Sequence, residues 1–156
     1  MNNINKITSF TVAHDYISEG IYISRIEGDF TTYDLRTRKP NNNDYFDDIT
    51  MHSVEHMLAT YLRNSCIADK IIYIGPMGCR TGFYLLVRNA DNLEVFNELK
   101  LALLKTINHK GEIFGNTRKE CGNYKCLSLD SAKIECERYY NVLNKITNPT
   151  FIYPTK

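Results

Sequence analysis

The sequence predicts an α+β fold in a single domain, on three observations. Runs rich in β-branched and aromatic residues come in pairs joined by turn signals, 20–26 with 30–36 and 71–74 with 83–87. Two stretches, near 50–65 and 92–106, carry apolar residues at helical spacing, and a third helix is read over 129–143. The 156 residues suit one domain with a real core, and no repeat, low-complexity tract or linker divides 1–156.

Each element has its own signal. Residues 9–14, Ser9 to His14, read as a short extended segment. The turn Glu27-Gly28-Asp29 joins two strands into an antiparallel hairpin, and Arg36 ends the second. Pro40 and Asn41-Asn42-Asn43-Asp44 mark a loop. Asp47, Asp48 and Thr50 then suit a helix N-terminus, and Val54, Met57, Leu58, Tyr61 and Leu62 form that helix's core stripe. Between 71–74 and 83–87, Gly75-Pro76-Met77-Gly78-Cys79-Arg80-Thr81-Gly82 is a sharp break that lets backbone approach a ligand and puts Cys79 on a loop. Leu93, Phe96, Leu99, Leu103 and Leu104 mark a packing helix, ended at Asn108-His109-Lys110-Gly111. Loop-like sequence with Cys121-Gly122 follows, then a last helix stopped at Asn148-Pro149.

Composition removes several function classes. A net charge of +1 gives no electrostatic reason to expect nucleic acid or an anionic membrane as partner. No apolar run approaches the ~18 residues of a membrane span, and 1–6 lack the apolar centre of a signal peptide. The expected location is the cytoplasm. Five cysteines, an odd number, argue against a disulfide framework and leave thiols free for ligation or acid–base work.

The chemistry concentrates in His52-Ser53-Val54-Glu55-His56. Successive helical residues turn by ~100°, so His52 and His56 lie about 40° apart on one face and Glu55 about 60° to the other side of His52. Two imidazoles one turn apart can converge on a divalent ion, with Glu55 beside it. His-x-x-Glu-His is also the inverted zinc-peptidase signature, so the motif names a metal without naming a reaction. A third ligand is needed. Cys121, Cys126, His109, Glu135 and Glu137 are candidates, and Cys121 is favoured because Gly122 lets its loop come close.

His52 to His56, followed by Gly75-Pro76-Met77-Gly78-Cys79-Arg80-Thr81-Gly82 and Glu120-Cys121-Gly122, resembles the S-ribosylhomocysteine lyase (LuxS) family. Ser9-Phe10, His14, Tyr33-Asp34-Leu35-Arg36 and Pro40-Asn41 extend the resemblance from about Ser9 to the last helix. It implies an α+β homodimer, an antiparallel sheet packed by helices, with active sites at the subunit interface. It implies one divalent metal per subunit, Fe2+ with Zn2+ or Co2+ as substitutes, held by His52, His56 and Cys121. Cys79 and Glu55 would be the acid–base residues, and Ser9, His14, Arg36, Ile74 and Gly75 would contact substrate. The family pattern has Asp and Ser where this chain has Tyr73 and Gly75, and the Asp of that pattern would touch substrate.

The implied reaction moves a carbonyl along the ribose from C1 to C3, then expels homocysteine by β-elimination, leaving 4,5-dihydroxy-2,3-pentanedione, the autoinducer-2 precursor. A Lewis acid suits every carbonyl shift. A thiol of pKa about 8.5 is a base at neutral pH only if its pKa is lowered, by the metal and by Arg36 or Arg80. A carboxylate needs a closed, desolvated pocket. Two other readings stand beside this one. An inverted metallopeptidase would use Glu55 on water and prefer a carboxylate ligand. A structural metal module would close the site with Cys126 as a fourth ligand.

Overall fold

The computed structural model describes residues 3–156. Four strands form one antiparallel sheet: β1 (Gly20–Glu27), β2 (Phe30–Arg36), β3 (Ile71–Pro76) and β4 (Gly82–Arg88), in spatial order β1-β2-β4-β3. Three helices, α1 (Asp48–Leu62), α2 (Asn92–Ile107) and α3 (Leu129–Asn144), pack on one another and cover one face. Alternation along the strands makes the two faces different. Ile21, Tyr33, Leu35, Phe83, Leu85 and Val87 point to the helices and are buried with Met57, Leu58, Leu62, Leu99 and Leu103. Tyr22, Asp34, Arg36 and Tyr84 alternate onto the other face.

The helices lie within a few residues of where their sequence places them, α1 ending at Leu62 rather than near 65. The Asp47 carboxylate accepts from the Thr50 amide at 2.7 Å and caps α1. Val54, Met57, Leu58 and Leu62 are buried, which leaves His52, Glu55 and His56 on the half-exposed flank. Asp91 and Ser128 cap α2 and α3 in the same way. Leu93 is exposed, outside the α2 core stripe to which its spacing assigned it. The segment 9–14 is not extended either: Thr8–Phe10 and His14–Tyr16 are single 3-10 turns, closed by Ile7 and Ala13 carbonyls. Too short for any periodic pattern, it takes its shape from these local bonds.

Two irregular segments position the site. The β3–β4 connection is a tight hairpin in which the Met77 amide donates to Gly82 O at 2.9 Å and the Arg80 amide to Met77 O at 3.0 Å. Gly82 is required there, since a Cβ would lie 2.5 Å from the Leu35 carbonyl oxygen of β2. The second segment, 108–128, has no helix or strand. It is tied to α1 by the Ser128 amide on Ser53 Oγ (2.8 Å) and by the histidines described below.

Candidate metal centre and substrate clefts

α1 and the 108–128 segment bring His52, His56 and Cys121 together, with ligand atoms within 4.8 Å of one another. Among the described residues this is the one group of three or more His, Cys, Asp or Glu spaced to hold a metal ion. His52 Nδ1 lies 2.8 Å from Cys126 O, and His56 Nδ1 lies 2.8 Å from Phe114 O. A carbonyl can only accept, so each Nδ1 carries the proton and each Nε2 keeps its lone pair. His52 Nε2 is 3.4 Å from Cys121 Sγ. Two imidazole lone pairs and a thiol on a half-buried surface fit a soft or borderline divalent ion with a coordination position left open.

The other ligand candidates are engaged elsewhere. His109 lies between the Tyr61 hydroxyl (2.7 Å) and Glu112 O (2.8 Å). Glu135, 3% exposed, forms a two-pronged pair with Arg38 at 2.7 and 3.1 Å. Cys126 contributes its backbone carbonyl to His52, and neither its thiol nor Glu137 belongs to the cluster.

Glu55 lines a cleft of about 310 Å³ with His52, Met51, Pro76, Asn123 and Cys126. It is half-buried, so the closed pocket expected around it is not formed by this chain alone. α1 presents Glu55 to this cleft beside Asp48, Met51 and His52, and Pro76, Asn123 and Cys126 line the rest of it.

Across Pro76 lies a second cleft, about 290 Å³, which collects Ser9, His14, Arg36 and Cys79 with Met77, Gly78 and Tyr84. Cys79 is exposed at the hairpin tip. Its Sγ is 3.0 Å from Thr81 Oγ1 and 3.9 Å from Arg36 Nη1, so Arg36 rather than Arg80 is the cation beside it. Arg80 takes a left-handed φ of 61° and pairs with Asp48 on the surface. Arg36 is 2% exposed and held by buried Asp34, with Nε on Oδ1 at 3.0 Å and Nη2 on Oδ2 at 2.5 Å. Burial works against its charge, but the Asp34 carboxylate outweighs this and holds its pKa above the ordinary arginine value. His14 Nδ1 donates to Val12 O at 2.9 Å, leaving Nε2 free.

Gly75 lies on a neighbouring chamber of about 280 Å³, which Tyr73 and Arg25 also line and which shares Ser9, Pro76 and Tyr84 with the Cys79 cleft. The Tyr73 ring lies on Gly75, where a Cβ would meet it at 2.5 Å. Ile74 is 3% exposed with its side chain in the core, so only its backbone can face a ligand.

The S-ribosylhomocysteinase (LuxS) family model matches residues 7–149. The chain belongs to the LuxS family. A Borreliella afzelii (strain PKo) protein described as S-ribosylhomocysteine lyase is 41% identical, covering 97% of this chain and 100% of its own. Proteins of the same description from Finegoldia magna (42%; 97% and 99% covered) and Phocaeicola vulgatus (41%; 96% and 98%) are similarly close. LuxS membership joins motifs that spacing alone left separate: the α1 histidines, the Cys79 hairpin and the Cys121 turn all fall inside the match. Sequence reasoning missed Asp34, Thr81 and the Phe114 and Cys126 carbonyls. Asp34 had a signal, since i and i+2 of a strand share a face.

Proposed function

We propose that this protein cleaves the thioether of S-ribosylhomocysteine, yielding homocysteine and 4,5-dihydroxy-2,3-pentanedione. The observation that carries the reading is the His52–His56–Cys121 cluster beside Glu55, in a chain whose relatives are S-ribosylhomocysteine lyases over nearly their whole length. Bound there, a divalent metal, Fe2+ by preference with Zn2+ or Co2+ as substitutes, supplies Lewis-acid polarisation of a sugar carbonyl. Cys79 takes and returns protons on the early ribose carbons, with Arg36 Nη1 and Thr81 Oγ1 beside its sulfur. Glu55 serves the later carbons and the β-elimination. Ser9, His14, Arg36 and the Ile74–Gly75 backbone hold the substrate.

The reading includes a homodimer. Glu55 and Cys79 line separate clefts that meet only at Pro76, and both clefts are open. Phe10 on the Cys79 cleft, and Ile7 and Tyr73 on the chamber beside it, are large and exposed. A second copy over that surface would bury them and exclude the water that would protonate an enediolate at random. The whole chain, 1–156, would act as one catalytic domain. No helix among the described residues is long and apolar enough to cross a membrane. The five unpaired cysteines fit a reducing cytoplasm.

The test is anaerobic incubation of iron-loaded protein with S-ribosylhomocysteine, following release of homocysteine thiol. Cys79→Ala and Glu55→Gln should each keep metal and lose at least about a hundredfold in turnover, the scale of a lost acid–base group. A variant keeping near-unmutated turnover would remove its residue from the mechanism. Under the structural-module reading Cys126→Ala would lose the metal. We expect it to retain metal, while Cys121→Ala does not.

A further inference from the structure

We propose that Tyr153, in the tail beyond the matched region, is a positioning residue that acts through Asp34 to fix Arg36 beside Cys79. The substrate half of this inference rests on the lyase reading; the geometric half does not.

The tail reaches the sheet by hooking over its β1 edge. Phe151 adopts a φ of 60°, and its carbonyl accepts from the Ile23 amide at 2.8 Å. The Phe151 ring enters the core, edge-on to Tyr33 and Phe96 at 6.2 and 6.3 Å between centroids. Ile152 turns outward. Tyr153 then lies on the opposite face, stacked on Tyr22 with centroids 4.9 Å apart. From there its hydroxyl donates to Asp34 Oδ2 at 2.7 Å.

Asp34 is fully buried and takes three donors: Arg36 Nε on Oδ1, and Arg36 Nη2 with the Tyr153 hydroxyl on Oδ2. A bidentate carboxylate sets the plane of the guanidinium it grips. Nothing in that pair alone fixes the rotation of the carboxylate, and the Tyr153 bond does. With the plane fixed, Arg36 Nη1 points at Thr81 Oγ1 (2.8 Å) and Cys79 Sγ (3.9 Å). Tyr22 cannot substitute, because its hydroxyl is donated to Ser18 O at 2.8 Å. Burial, and then the adjacent Asp34 charge, raise the Tyr153 phenol well above its ordinary value, so it stays a donor throughout the neutral range.

Tyr153→Phe keeps the ring and its stack and removes only the donor. In the full-length metal-loaded protein two quantities decide. One is the rate of Cys79 alkylation by iodoacetamide near pH 7, read on the Cys79 peptide by mass spectrometry to separate it from the other cysteines. The other is the split between KM and kcat for S-ribosylhomocysteine. We expect Cys79 alkylation to slow at least about threefold and KM to rise about tenfold, the worth of one charge-assisted hydrogen bond. Metal content and melting temperature should hold, and kcat should fall by no more than the alkylation rate does. Tyr153→Leu, which also removes the stack, should lose no less than Tyr153→Phe. Unchanged alkylation and KM in Tyr153→Phe, or a loss seen only in Tyr153→Leu, would overturn the proposal and leave the tail a packing element. If the unmutated protein released no homocysteine, the lyase reading would fall while the alkylation comparison still decided the role of Tyr153.

Discussion

The candidate metal cluster depends on backbone atoms that are not among its three side chains. Each α1 histidine is oriented by a backbone carbonyl from 108–128, and Gly115, at φ +68°, stands beside the second of them. A Cβ there would lie 2.9 Å from His56 Nδ1, in addition to the left-handed strain. Gly115→Ala should therefore weaken metal affinity by about tenfold, the usual cost of disturbing a ligand's supporting hydrogen bond. Competition against a chromophoric chelator measures it, and an unchanged affinity would show that the turn relaxes without moving His56. This contrast explains what was legible. Side chains brought together by helical spacing, His52, Glu55 and His56, could be read directly. The carbonyls of Phe114 and Cys126 could not, because any residue supplies a carbonyl and only the chain path selects which one. Thr81 and Arg36 meet through the register of β2 on β4, which no local pattern encodes.

The α1 helix carries its pH dependence at its first turn. The amide of Thr50 and its position at the helix N-terminus hold the Asp47 carboxyl below its ordinary pKa. A group depressed in the fold contributes stability above its unfolded pKa, about 3.9, and loses that stability as pH falls through the folded value. Asn at this position caps equally well and does not titrate. Asp47→Asn should then melt near the unmutated temperature at pH 7 and lose less of it between pH 4 and 2. Asp47→Ala should be destabilised by about 1 kcal/mol at neutral pH. Equal acid slopes for Asp47→Asn and the unmutated protein would remove Asp47 from the acid transition. The three helices were legible to within a few residues: α1 from its acidic start and apolar stripe, α2 from its stripe and the stop at Asn108-His109-Lys110-Gly111, and α3 from the stop at Asn148-Pro149. The segment 9–14, expected to be extended, instead holds parts of the 3-10 turns Thr8–Phe10 and His14–Tyr16, which are too short to show a period.

In the whole molecule, the α+β class followed from the order of strand-like and helix-like runs, whereas the strand order β1-β2-β4-β3 did not, since it places β4 between β2 and β3 through contacts distant in sequence. The separation of Glu55 from Cys79 into adjoining clefts has a consequence that mixing can read. If the two residues of one site come from different subunits, co-refolded Cys79→Ala and Glu55→Gln chains form mixed dimers with one intact site each. Activity should then return to about a quarter of the unmutated value, as random pairing in a two-fold dimer dictates. No recovery would place both residues of a site on one chain. The tail has a bearing beyond the cleft it reaches. The Phe151 carbonyl occupies the Ile23 amide on the outermost strand of the sheet. A protease that trimmed the chain at Pro149 would leave an unpaired, partly apolar strand edge, the template on which sheets of separate molecules join. Phe151 thus covers one backbone donor on that edge.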